Sequence, residues 1–226
     1  MKKFAVIVAG GNGQRMESAL PKQFLLLKEK PILWYTVQTF LKSFSDLQII
    51  LVLPQAFIEN GDSIVTGLDA TNRIKIIQGG DTRFQSVKNG LQLVEADSIV
   101  FVHDGVRCLV DEDLIQRCYW QAIEKGSAVP VVTATDSIRI VEGENHAVCN
   151  RNNIRIIQTP QTFKSNILLP AFQQPYINDF TDEATVVEAN GNKVYLIEGN
   201  YNNIKITRPV DLLIAEKMIE EKLMLK

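Results

Sequence analysis

The chain has 226 residues, with 24 Lys and Arg against 26 Asp and Glu and a formal net charge of −2. Hydrophobic residues at 46% and charged residues at 22% are the proportions of a folded globular protein and exclude disorder, collagen and coiled coil. With no global basic field, nucleic acid and anionic membranes are not expected partners, so any anionic ligand must be gripped by a local group of Lys and Arg. No apolar run approaches the ~18 residues that a membrane-spanning helix needs.

In chain order, the first expected element is a buried strand over residues 4–9. The apolar stretch after Met1-Lys2-Lys3 stops at Gly10-Gly11, too early for a secretory core. Further apolar runs predict strands at 48–53, 73–77, 98–102, 127–133 and 193–197. Helical periodicity predicts helices at 31–44, 82–94, 111–125 and 207–223, the last with Thr207 as N-cap and Pro209 in its first turn. Continuous Val/Ile strands spaced by amphipathic helices specify an α/β fold, with a mostly parallel sheet covered by helices on both faces. One segment, 134–158, departs from this rhythm. There Ser137-Ile138-Arg139-Ile140-Val141 and Ile154-Arg155-Ile156-Ile157 alternate around Glu142-Gly143-Glu144-Asn145, which predicts an inserted β-hairpin arm. A lone hairpin is marginal in water, so this arm is expected to pack on another chain. The whole of 1–226 reads as one domain. Cys108, Cys118 and Cys149 form no C-x-x-C pair, which argues against a zinc site or a disulfide framework and favours a reducing cytoplasm.

Four constellations carry chemistry. Ala9-Gly10-Gly11-Asn12-Gly13-Gln14-Arg15-Met16 follows the first strand, and Pro21-Lys22-Gln23 comes soon after. Three glycines allow close backbone approach to phosphate, while Arg15 and Lys22 supply charge. By itself such a loop is also a tight strand-to-helix turn, and Met16 stands where a dinucleotide fingerprint has its third glycine. Gly79-Gly80-Asp81-Thr82-Arg83-Phe84-Gln85-Ser86 follows the third strand. Thr82 and Gln85 suit a capping box there, Gly80 and Ser86 fall at the sheet edge where ligands of open α/β sheets bind, and Asp81 reads more as a helix cap than as a ligand contact. In His103-Asp104-Gly105-Val106-Arg107, Asp104 is either a Mg²⁺ partner beside a triphosphate or a turn residue paired with Arg107. The fourth group is scattered: Arg151, Thr159-Pro160-Gln161, Thr181-Asp182-Glu183-Ala184 and Asn203-Ile204-Lys205-Ile206-Thr207. Singly, Arg151 and Lys205 read as surface charges and Thr181 as a helix N-cap.

Taken together and in order, these motifs resemble the 2-C-methyl-D-erythritol 4-phosphate cytidylyltransferase family, from residue 4 to about 215. The resemblance implies a Rossmann-like nucleotidyltransferase that joins CTP to a polyol phosphate, releasing pyrophosphate, with Mg²⁺ held mainly by the CTP phosphates. By matching position, Arg15 and Lys22 are the implied catalytic residues. Ala9, Gly10, Gly11, Gly13, Gly80, Asp81, Ser86, Asp104, Gly105 and Arg107 are the implied nucleotide contacts, with Asp104 also beside the metal. Arg151, Lys205, Ser137, Thr159 and Thr181 are implied to position the acceptor. The family's arm crosses to a second subunit, so a homodimer is implied, with Arg151 serving its partner's site. Val8, Gly10, Cys108, Ser137 and Asn150 depart from the family's usual residues. The Ala-Gly-Gly loop and Pro-Lys-Gln-Phe also look like ribitol-5-phosphate cytidylyltransferases, the alternative acceptor class. A non-catalytic nucleotide-binding module is the alternative from outside enzymology.

Overall fold

A computed structural model describes residues 1–10, 20–68 and 70–224. Gly11, Gly13, Arg15 and Met16 lie outside them. The main sheet is built on β1 (Lys2–Val8), which pairs in parallel with β4 (Leu47–Leu53) on one side and β6 (Ser98–Asp104) on the other; β5 (Ile74–Gln78) extends it beyond β4. Past β6 lie antiparallel β11 (Gln161–Lys164), then β7 (Ser127–Thr133). On β7 pair antiparallel β10 (Arg155–Ile157) and parallel β12 (Leu196–Glu198).

Strand parity shows why helices cover both faces. Ala5, Ile7, Ile49, Leu51 and Phe101 point into one apolar layer with α1 (Ile32–Ser43), α2 (Ile58–Thr66) and α4 (Glu112–Lys125). Phe4, Val6, Val8, Ile50, Val52, Val100 and Val102 point into the other, with α3 (Arg83–Leu91), α5 (Ser165–Ala171) and α6 (Glu183–Ala189). Successive strand residues face opposite ways, so a strand buried on both faces must be apolar throughout. β2 (Leu26–Leu27) and β3 (Lys30–Pro31) form a small hairpin before α1, and α7 (Pro209–Met224) closes the chain. Among the described residues no helix is long and apolar enough to cross a membrane.

The mostly parallel, doubly covered sheet matches the expected class, and local details correct several readings. Asp111 caps α4, accepting from Leu114 N at 2.8 Å, and Gly126 ends it with φ 91°. Thr82 caps α3 by accepting from Gln85 N at 3.0 Å, but Gln85 Nε2 turns to Asn89 Oδ1, so only half of the expected box exists. Asp182, not Thr181, caps α6, in a reciprocal pairing with Thr185. Asp211 Oδ2 accepts from the Thr207 and Arg208 N–H groups and from Thr207 Oγ1, so Thr207 is held rather than capping. The sequence pattern passed over α2, α5 and α6. Gly61 lies inside α2, where a Cβ would lie 2.4 Å from Leu53 Cδ1, and Pro170 sits inside α5.

The arm is real but paired differently. β8 (Ile138–Glu142) pairs antiparallel with β9 (Asn145–Cys149) through a two-residue turn in which Gly143 has φ 61°. A two-residue connection closes on the nearest chain, so residues 155–157 are left to return to β7 as β10. Ile140, Val141 and Val148 of the arm are all more than half exposed.

Candidate active site

The carboxyl ends of β1 and β6 open onto a cavity of about 320 Å³, the position where ligands of open α/β sheets bind. Backbone from Val8 to Gly10 and the Gly80–Thr82 turn form two of its walls, and Lys22, Arg83, Ser86, Asp104 and Lys205 project from the others. The glycine turns after β1 and β5 converge on Ser86. Its Oγ donates to Thr82 O at 3.0 Å and accepts from Gly80 N at 3.1 Å, and a Cβ on Gly10 would lie 3.4 Å from it. A Cβ on Gly80 would sit 2.1 Å from Gln85 Cγ, so glycine there permits the close turn. Lys22 is half-buried; the adjacent Gln23 is fully buried and donates from Nε2 to Ala9 O at 2.6 Å. That bond fixes the segment carrying Lys22 to the end of β1.

Asp104, the last residue of β6, is the electrostatic centre. Arg83 Nε lies 3.3 Å from its Oδ1, while Arg107 Nε at 3.3 Å and Lys205 Nζ at 3.0 Å reach Oδ2. Burial pushes this carboxyl up, but Arg83, Lys205 and Arg107 outweigh burial and hold it well below the usual carboxylate range. Arg107 is anchored further by Nη1 to Asn203 O at 2.9 Å. Arg83 also grips Glu183, a buried carboxylate at the start of α6, with both of its Nη groups. Burial pushes the Glu183 carboxyl up and Arg83 opposes that push; Arg83 itself is held charged by its two carboxylates. The cavity therefore presents fixed positive charge from three distant parts of the chain, with a buried anion organising it.

His103 is fully buried, and burial pushes its pKa down to about 3, so the ring is neutral. Nε2 faces Arg107 O at 3.3 Å and therefore donates, which leaves Nδ1 to accept from Thr159 Oγ1 at 3.0 Å. Thr159 Oγ1 in turn accepts from Asp104 N at 3.1 Å. Thr159 is thus a buried support behind Asp104 and does not line the cavity, where the acceptor reading had placed it. Gly105 is likewise corrected. It packs behind the site, where a Cβ would lie 2.9 Å from both Ala9 Cβ and Leu33 Cδ1, and it contributes no cavity surface.

Of the other expected residues, Ala9, Gly10, Gly80, Asp81, Ser86, Asp104, Lys22 and Lys205 come together at this cavity, and Arg107 stands behind it. Ser137, Arg151 and Thr181 are exposed and do not line it; Arg151 Nη1 donates to Thr135 O at 2.6 Å within the arm. Sequence reasoning missed the role of Arg83 and Glu183. Arg83 stood inside a quoted motif, but only the fold shows that its partner lies 100 positions away. Among the described residues no group of three or more His, Cys, Asp or Glu could hold a metal ion. A carboxylate has about four acceptor positions, and three cations already address Asp104. The donor set therefore suits one contact to an ion that arrives with its own oxygen ligands, not a protein-built cage.

The family model for 2-C-methyl-D-erythritol 4-phosphate cytidylyltransferase (IspD) matches residues 4–221. The chain belongs to this family. It is a nucleotidyltransferase. The Bacteroides fragilis protein of that name is 42% identical over 219 residues, covering 97% of this chain and all of the relative. The Azobacteroides pseudotrichonymphae protein is 44% identical, covering 97% and 99%. The solved Francisella tularensis 2-C-methyl-D-erythritol 4-phosphate cytidylyltransferase superposes with a TM-score of 0.80 at 30% identity, covering 96% of this chain and 99% of that one. The solved Thermus thermophilus enzyme of the same name gives 0.75 at 30%, covering 95% and 98%.

Proposed function

We propose that the enzyme transfers the cytidylyl group of CTP to 2-C-methyl-D-erythritol 4-phosphate. A phosphate oxygen of the acceptor bonds to the α-phosphorus, the bond from that phosphorus to the bridging oxygen breaks, and pyrophosphate leaves with the electron pair. The observation that carries this reading is the convergence of Lys22 and Lys205 on one cavity, around Asp104 and beside the Gly10 and Gly80 turns. Because the nucleophile is already ionised, no base is required, which suits a site whose histidine is buried and neutral. Positioning and charge stabilisation supply the catalysis.

In this reading Lys22, together with Arg15, neutralises charge on the α-phosphate and the departing pyrophosphate. The Gly80–Thr82 turn and Ser86 receive the base, and Lys205 orients the acceptor phosphate. Asp104 is the residue placed to touch Mg²⁺, whose chemistry when bound is to neutralise triphosphate charge. The 134–158 arm extends from a single nucleotidyltransferase domain, and its exposed Ile140, Val141 and Val148 suit burial against a second copy. Arg151, Ser137 and Thr181 would then complete a site across a homodimer. Cys108, Cys118 and Cys149 form no disulfide, which suits a reducing cytoplasm.

Pyrophosphate release with CTP and Mg²⁺ tests the proposal, comparing 2-C-methyl-D-erythritol 4-phosphate with ribitol 5-phosphate. Release that depends on the first acceptor is the expected result. Preference for ribitol 5-phosphate would move the enzyme to the other acceptor class, and CTP binding without acceptor-dependent release would leave a non-catalytic module.

A further inference from the structure

Arg83 and Glu183 have no task in the transfer just described, yet they tie α6 to a cavity-lining side chain at the start of α3. Arg83 opens α3 and Glu183 opens α6. Both Nη groups of Arg83 bond the Glu183 carboxylate, with Nη2 to Oε2 at 3.1 Å, while its Nε reaches Asp104 Oδ1 at 3.3 Å. Asp104 uses its other oxygen for Lys205 at 3.0 Å and Arg107 at 3.3 Å. The Glu183 side chain is 1% exposed and that of Arg83 30%, so the clamp is buried while the guanidinium still borders the cavity. A buried ion pair is weak evidence for a stabilising device, because apolar pairs of equal volume often do as well. Its third bond gives this pair a different use. A guanidinium offers a rigid fork that prefers two parallel bonds to one carboxylate. With Glu183 filling that fork, Arg83 gives Asp104 a single bond and leaves Oδ2 to Lys205 and Arg107. With the fork empty, Arg83 turns it onto Asp104 and competes for Oδ2.

We infer that Glu183 is a positioning residue for the acceptor: by occupying the fork of Arg83, it keeps Arg83 off the oxygen of Asp104 that seats Lys205. This rests on the proposed transfer, in which Lys205 holds the acceptor phosphate. The test is Glu183→Gln in the full chain, with steady-state kinetics in both substrates and calorimetric CTP affinity. The acceptor KM is expected to rise at least tenfold while CTP affinity stays within about twofold. Arg83→Gln added to Glu183→Gln removes the competitor and is expected to bring the acceptor KM back to within about threefold of wild type. A merely structural pair would show additive losses instead.

Unchanged acceptor KM in folded Glu183→Gln overturns the inference, as does a fall in CTP affinity with the acceptor KM unmoved. If that variant does not fold, Glu183→Asp keeps the charge at shorter reach. A selective but smaller rise in acceptor KM is then expected, and no rise overturns the inference. Wild-type turnover is measured first: its absence overturns the transfer reading and this inference together, whereas active wild type with unresponsive variants overturns this inference alone.

Discussion

His103→Gln gives the most closely worked stability test, because the chain has two histidines and only His103 is buried. Burial depresses its folded pKa to about 3, against about 6.5 in the unfolded chain. Below pH 6.5 the unfolded state therefore binds a proton that the folded state refuses, so the stability contribution is lost as pH falls. Integrated from pH 7 to pH 5, the linkage amounts to about 2 kcal/mol. Glu183, with its carboxyl pushed up by burial, works in the opposite sense, and Asp104, held low, loses its contribution only in more acid solution. Both are common to wild type and variant and cancel in the difference. Glutamine can accept from Thr159 Oγ1 and donate to Arg107 O, preserving both bonds that His103 makes. Urea unfolding at pH 7, 6 and 5 and fixed protein concentration should show wild type losing about 2 kcal/mol more than His103→Gln. Parallel pH dependences in the two proteins would refute the reasoning, since they would mean that His103 is not held neutral by burial.

Lys22→Ala should lower pyrophosphate release by roughly 10²–10³-fold, the cost of removing one transition-state charge partner, while leaving the unfolding midpoint little changed; near-normal turnover would remove Lys22 from the chemistry. Lys28 and Glu29 form the two-residue turn between β2 and β3 with φ of 45° and 65°. Left-handed backbone costs a side-chain-bearing residue more than glycine, so Glu29→Gly should stabilise by about 0.5–1 kcal/mol in urea unfolding, and a loss of stability would show that the turn carries no such strain. Arg151→Ala mixed with Lys22→Ala should regenerate partial turnover if the arm completes a neighbour's site, and demonstrated heterodimers without recovery would sink that arrangement.

The amino-acid sequence by itself determined the α/β class and the places where strands end. Burial on both faces forces uninterrupted apolar runs such as 48–53 and 98–102, and a cap such as Asp111 acts within three residues. It also placed glycines and lysines near strand ends, because those signals are equally local. Only tertiary structure decided what met what. The Arg83–Glu183 clamp and the Asp104–Lys205 pair span about a hundred positions each, and no periodicity reports a partner so far away. Antiparallel β11 entered between β6 and β7, and residues 155–157 joined β7 instead of the arm, because strand pairing is a competition among all available edges. Gly105 and Thr159, which the family resemblance implied to be ligand contacts, stand as supports behind the cavity, because the sheet puts their neighbours between them and it. A residue type limits what chemistry is available at a position, but the direction a side chain faces is settled by the elements packed around it.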